Sequence, residues 1–187
     1  MNRLRGMTCY LCGPMDRVKD GGVGWRNYLT PKLHELGVGV FNPCDKPSNF
    51  APEDEDTRLL VDTNKKLGNY EEVSAIMKPI CAVDLRMVDI AHFIVMNLDV
   101  ENHLCGSYHE AFLGITQKKP VVIRCKQGKN SLPNWMFGVV PHQMVFSSWS
   151  EVLDYLYHVS EDMDVEHLNR WRFFDFNKVY GNDEFTF

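Results

Sequence analysis

The stretch His92-Phe-Ile-Val-Met-Asn-Leu-Asp-Val-Glu-Asn-His-Leu-Cys-Gly-Ser-Tyr-His-Glu110 runs from an apolar strand, through a polar loop, into the first turn of a helix. Residues 92–96 form the β-branched and aromatic run expected of a fully buried strand. Ala111-Phe-Leu-Gly-Ile115 then opens an apolar helical period. Between them lie the carboxylates Asp99, Glu101 and Glu110. In open α/β sheets ligands gather just outside the carboxyl ends of the strands, so a carboxylate on the helix leaving such a loop can project into a binding crevice. Glu110 is therefore the first candidate. The same letters allow a second reading, because Ser107-Tyr-His-Glu110 fits a capping box. A capping glutamate tolerates glutamine at a cost of about 1 kcal/mol, whereas a nucleophile loses its chemistry.

Upstream, Asp84-Leu-Arg-Met-Val-Asp-Ile-Ala91 leads straight into the strand, with Leu85, Val88 and Ala91 on one helical face. Asp89 stands near the helix end, where the dipole disfavours a carboxylate, and is expected to be solvated or paired. Asp84 has no such local explanation. Residues 7–12 read as the first strand, ended by Gly13-Pro14. A glycine-rich loop over residues 15–24 precedes a helix over 25–37 with the stripe Trp25, Tyr28, Leu29, Leu33 and Leu36. That loop reads either as a phosphate cradle or as a mobile loop, since Gly21-Gly-Val-Gly24 matches neither GxGxxG nor the Walker pattern. Were an anion to bind, Arg17 and the amides opening the helix are the expected contacts. Residues 38–41 form the second strand. Residues 46–56, rich in proline and acid, read as a surface excursion that forms a lid or does nothing. Residues 57–89 are mostly helical, with breaks expected at Leu67-Gly-Asn69 and near Lys78-Pro79.

Downstream, residues 121–124 give a fourth strand and 144–146 a short fifth, followed by a helix over 149–159. Asn134-Trp-Met-Phe-Gly138 lies outside any strand pattern, and one reading makes Trp135 and Phe137 plugs of the core. The cadence predicts an α/β fold: a three-layer, mostly parallel five-stranded sheet flanked by helices, of the Rossmann or flavodoxin-like kind. Residues 1–160 form this domain. Residues 161–187 form an aromatic extension, with Trp171, Phe173, Phe174, Phe176 and Tyr180, that packs on the domain or on a neighbouring subunit.

With 187 residues and 44% apolar content the chain can bury one full core. A net charge of -5 with no run of Lys or Arg argues against a nucleic-acid surface, and the broken apolar stretch near the N-terminus argues against a membrane span. Partners are expected to be small molecules or copies of the chain itself. The six cysteines stand in mostly apolar or strand-like settings with no repeating spacing, which fits reduced core thiols in a cytoplasmic protein. Cys9 and Cys12 look like a CxxC, but on a strand they point to opposite faces. The seven histidines show no paired ligand spacing and there is no GxSxG elbow, so neither a metal nor a cofactor is expected. The acids carry the chemistry.

Taken together, Tyr10-Leu-Cys-Gly-Pro-Met15, Asp84-Leu-Arg-Met-Val-Asp-Ile-Ala-His-Phe-Ile-Val95 and Gly106-Ser-Tyr-His-Glu110 resemble the nucleoside 2-deoxyribosyltransferase family and its relatives, the 2'-deoxynucleoside 5'-monophosphate N-hydrolases. The resemblance covers residues 7–158. It implies an enzyme of pentosyl transfer or N-glycoside hydrolysis in which Glu110 attacks the anomeric carbon. Asp84 then positions the glutamate and manages the proton on the base. Tyr10, Gly13, Pro14, Met15, Arg17, Trp25, Gly106 and Ser107 are the implied substrate contacts, with Asp99 or Glu101 as a further sugar-binding acid. Asn134 and Met136 resemble an element that completes a neighbouring subunit's sugar pocket, which implies a homo-oligomer with shared sites. His92 and residues 46–56 depart from the family pattern, and the glycine-rich loop with Arg17 looks closer to that of the nucleotide hydrolases.

Overall fold

The computed structural model describes residues 2–48, 50–161, 170–175 and 178–179. Its core is one five-stranded sheet in the order β2-β1-β3-β4-β5, made of β1 (Thr8–Cys12), β2 (Gly39–Phe41), β3 (Phe93–Leu98), β4 (Val121–Cys125) and β5 (Val145–Phe146). Every pairing is parallel. Parallel strands need covered faces, and all six residues of β3 are buried, five of them apolar and the other Asn97. The helices are α1 (Val23–Glu35), α2 (Glu55–Leu67), α3 (Tyr70–Ile90), α4 (Cys105–Thr116), α5 (Asn134–Val139) and α6 (Trp149–Ser160). The connection from β1 to β2 carries α1, while those from β2 to β3 and from β3 to β4 run the opposite way along the sheet, and right-handed crossovers then put α1 on one face and α3 with α4 on the other. On the α1 face, Trp25 stacks on Trp149 of α6 with centroids 5.4 Å apart.

Two local features set the distance of α4 from the sheet. Gly114 leaves no room for a side chain, since a Cβ there would lie 2.3 Å from Ile94 Cδ1. One turn earlier, Ala111 is fully buried. The helix is thereby drawn down onto β3, and Glu110 starts from a backbone close to the strand ends.

Several expectations need correction. No break occurs near Lys78-Pro79: α3 continues through Pro79 for 21 residues. An interior proline costs about 3 kcal/mol, and burial of Ile80, Asp84, Met87 and Val88 on the following turns holds the helix together. The break at Leu67-Gly-Asn69 does occur, with Gly68 at φ 77 ending α2. Trp135 and Phe137 do not plug the core; Trp135 is 74% exposed, and Met136 between them is buried instead. They stand on a short helix, whose period turns one of the three inward. Cys81 and Cys105 are exposed rather than core thiols. In the extension, Trp171 is buried against Phe93 and Tyr155 of its own domain and donates from Nε1 to the Tyr155 hydroxyl at 3.1 Å. Leu168, Phe176 and Tyr180 lie outside the described residues.

Candidate active site

The sheet order reverses at β1, whose neighbours β2 and β3 are reached by connections running opposite ways. A crevice opens at the carboxyl ends of such strands. Here it is a cleft of about 600 Å³. Its walls come from residues 13–17 after β1, from Glu53, from one side of α2, from Met77, Ile80, Cys81, Asp84 and Leu85 of α3, and from residues 103–107, 109 and 110.

Glu110 belongs to this cleft and not to a cap. The helix begins at Cys105 with Leu104 in the N-cap position and no side-chain cap, so Ser107 is already inside the first turn and the capping box does not form. The Ser107 carbonyl instead accepts from the Cys12 thiol at 3.2 Å. Burial pushes the Glu110 carboxyl above its usual range, opposed by the Cys12 thiol and Tyr10 hydroxyl, which interact with its anion. Burial and the charge of Glu110 in turn hold both Tyr10 and Cys12 well above their ordinary values. A carboxylate on the wall of a cleft, beside the neutral Tyr10 hydroxyl and Cys12 thiol and with its basicity raised by burial, is chemically suited to attack an electrophilic carbon.

Asp84 faces the same cleft from α3 and is buried. Its Oδ1 pairs with Lys46 Nζ at 2.8 Å, and the same Nζ pairs with Glu53 Oε1 at 2.6 Å. Burial raises Asp84, against the pull of Glu53 and Lys46. Glu53 is pushed up to about 7 by burial first and by the Asp84 charge second. Burial works against the charge on Lys46, but the two acids outweigh it and its ammonium is held above the usual range.

On the other wall the glycine-rich loop is locked. Asp20 accepts from the amides of Gly22 at 3.0 Å and Gly24 at 2.9 Å, so these two amides, expected to be open to an anion, are already occupied. Arg26 is fully buried and donates to the carbonyls of Leu11, Gly13 and Gly22. Gly22, at φ 77, fits between Pro14 and that guanidinium. Arg17, at φ 60, and Arg58 of α2 both line the cleft.

The structure thus brings Glu110, Asp84, Gly13, Pro14, Met15, Arg17, Gly106 and Ser107 to one cleft, with Tyr10 buried beneath Glu110. Other expected contacts stand elsewhere. Trp25 is behind Gly13, stacked on Trp149. Asp99 is held by Lys126 at 2.8 Å, Gln127 at 2.6 Å and Asn102 at 2.9 Å, and is not part of the cleft wall. Glu101 is exposed on that loop, its amide donating to Asp99, and is not part of the cleft wall. Asn134 is exposed and Met136 is in the core, so neither reaches the cleft of its own chain. Lys46, Glu53, Arg26 and Arg58 were not singled out from sequence. For Glu53 a signal existed: Asp54 caps α2 by accepting from the Thr57 amide at 2.8 Å, which leaves the preceding acid without a local task.

No protein-family model matches the sequence, and no curated protein matches it. Among solved structures, the chain is similar to a 2-deoxyribosyltransferase from Bacillus psychrosaccharolyticus, at 18% identity and a TM-score of 0.50, over 79% of this chain and 91% of that one. A 2-deoxyribosyltransferase from Leishmania mexicana gives 14% identity and a TM-score of 0.49, over 84% and 99%. At 18% identity the first likeness establishes a shared α/β fold. Among the described residues no helix is long and apolar enough to cross a membrane.

Proposed function

We propose that the chain cleaves the N-glycosidic bond of a 2'-deoxynucleoside through Glu110 and transfers the deoxyribosyl group to another base. One observation carries the reading: Glu110, which makes no capping box, shares a single cleft with Asp84, its carboxyl backed by Tyr10 and Cys12. The three stretches of resemblance and the shared fold support the choice of substrate. Breaking the bond passes through an oxocarbenium-like state, which a carboxylate below the ring stabilises before closing onto C1', and the departing base takes a proton. Interception of the glycosyl-enzyme by a second base is transfer; interception by water is hydrolysis. Asn134, exposed at the start of α5, is free to complete the site of a neighbouring copy, which makes the active form an oligomer.

A second reading, hydrolysis of a 2'-deoxynucleoside 5'-monophosphate to free base and deoxyribose 5-phosphate, is favoured by Arg17 and Arg58 on the cleft wall. A non-catalytic nucleotide-binding domain is the third. Incubating the protein with a deoxynucleoside, with and without a second free base, separates them. A new nucleoside supports transfer, and free base alone supports hydrolysis. No turnover of nucleosides or monophosphates refutes both enzymatic readings. Glu110→Gln abolishes either reaction, and an unchanged rate refutes the assignment of the nucleophile.

A further inference from the structure

Lys46 and Glu53 have no task in the reaction as described so far, yet both are turned inward, with side-chain exposures of 3% and 16%. Lys46 Nζ has three protons and meets three acceptors: Glu53 Oε1 at 2.6 Å, Asp84 Oδ1 at 2.8 Å and the Ala51 carbonyl at 3.1 Å. The two acidic oxygens are therefore no farther apart than those first two distances laid end to end. One cation cannot neutralise two carboxylates brought that close in a shielded site, and retaining one proton relieves the excess charge. The surroundings sharpen this. Glu110 of α4 adds negative charge to both acids. Cys44 after β2 is a thiol held above its ordinary range by burial, and the more exposed Cys81 of α3 is raised by partial burial and then by the Asp84 and Glu53 charges. Arg58 of α2 is engaged with the Glu53 carbonyl at 3.1 Å, and Arg17 stands on the far wall of the cleft.

We infer that Glu53 and Asp84, bridged by Lys46, hold one proton between them, and that this proton passes to the departing base, with Glu53 acting through Asp84 as its store. The inference rests on the reaction proposed for Glu110. In the first half, a Glu110 oxygen bonds to C1', the C1'–N bond breaks with its electron pair going to the base, and the shared proton moves to the base. The base leaves neutral and the pair is left as two carboxylates on Lys46. In the second half, the incoming base or water bonds to C1', Glu110 departs, and the proton of the incoming group returns to the pair. Asp84 is the catalytic member and Glu53 a positioning residue. The elevation of Glu53 to about 7 by burial and by Asp84 keeps the proton on a substantial share of the molecules at neutral pH.

The test compares ordinary 2'-deoxynucleosides and their 5'-monophosphates with N7-methylated purine counterparts, whose base is already cationic while bonded and departs neutral on taking the bond's electron pair, so that it needs no proton. Glu53→Gln is expected to lower kcat by about 100-fold on ordinary bases, to leave the methylated substrates nearly unaffected, and to move the alkaline fall in kcat/KM to lower pH. Lys46→Met is expected to move that fall to higher pH, because the lost cation tightens the hold on the proton; Glu53→Asp restores part of the rate. Equal losses on both kinds of leaving group overturn the relay, as does an unmoved alkaline limb in Lys46→Met, which decides the matter should Glu53→Gln not fold. Wild-type turnover that Glu110→Gln abolishes and Glu53→Gln leaves intact overturns the relay alone. Absence of wild-type turnover overturns the relay together with the reaction beneath it.

Discussion

Alanine at Gly22 would incur two separate costs, and two other glycines allow them to be measured apart. Gly22 sits at φ 77, and a Cβ there would lie 2.2 Å from the Pro14 carbonyl oxygen and 2.4 Å from Arg26 Nη1. The left-handed backbone alone costs a non-glycine residue about 1 to 2 kcal/mol. The clash adds about 1 to 3 kcal/mol, the range for overpacking, because neither a carbonyl nor a fully buried guanidinium can swing away. Gly68 shares the φ of 77 but has nothing within 4 Å of its Cβ, so Gly68→Ala reports the backbone cost alone. Gly138, with open space and no positive φ, serves as the reference. Thermal and urea unfolding of the three variants is expected to leave Gly138→Ala near wild type and to lower Gly68→Ala by about 1 to 2 kcal/mol, about 2 to 8 °C in Tm for a chain of this size. Gly22→Ala is expected to lose about 2 to 5 kcal/mol. A Gly22→Ala protein no less stable than Gly68→Ala would refute the claim that the loop is wedged between Pro14 and Arg26.

Other measurements test other parts of the molecule. Because Glu53 binds its proton more tightly folded than unfolded, its contribution to stability is complete below its unfolded value of 4.5 and is lost as pH rises through about 7; the difference in unfolding free energy between wild type and Glu53→Gln should drift by up to about 3 kcal/mol over that window, and a pH-independent difference refutes the shift. Asp99→Asn is expected to lower stability by about 1.5 to 3 kcal/mol through its lost charged hydrogen bonds, with KM unchanged; a raised KM would return Asp99 to the sugar. Trp171→Ala should cost about 3 to 5 kcal/mol, and near-neutrality would mean that the extension does not pack on the domain. Arg17→Ala is expected to raise KM for 5'-monophosphates by roughly 10- to 100-fold, the worth of a charged hydrogen bond, and to spare nucleosides; equal effects on both substrates count against phosphate recognition.

The sheet was legible because parallel strands buried on both faces are largely apolar, and residues 93–96 and 121–123 carry that run in plain letters. Asp84 stood out because no feature of the local helix explains it, whereas Glu110 had a local rival in the capping box, which only the helix start at Cys105 removes. Pro79 misled because propensity is local, whereas the packing of Ile80 through Val88 that outweighs it is tertiary. The pairing of Asp99 was not legible, since its partners Lys126 and Gln127 lie on the next connection of the fold and nothing near it in sequence announces them. Lys46 and Glu53 were hidden by composition. A stretch rich in proline and acid reads as solvated, and only the meeting of its two ends with α3 reveals that it turns inward.

The burial of Arg26 makes the two sides of the cleft mechanically unequal. All of its hydrogen bonds end on main-chain carbonyls of β1, the residue after it and the glycine-rich loop, so that loop cannot lift without stranding a guanidinium in a dry interior, an expensive event. The side carrying Lys46, Glu53 and α2 is joined to the body by ion pairs and by a helix with one buried residue, Val61. One wall of the cleft is thus anchored by a buried cation on the main chain, and the other by ion pairs and the packing of α2 on α3.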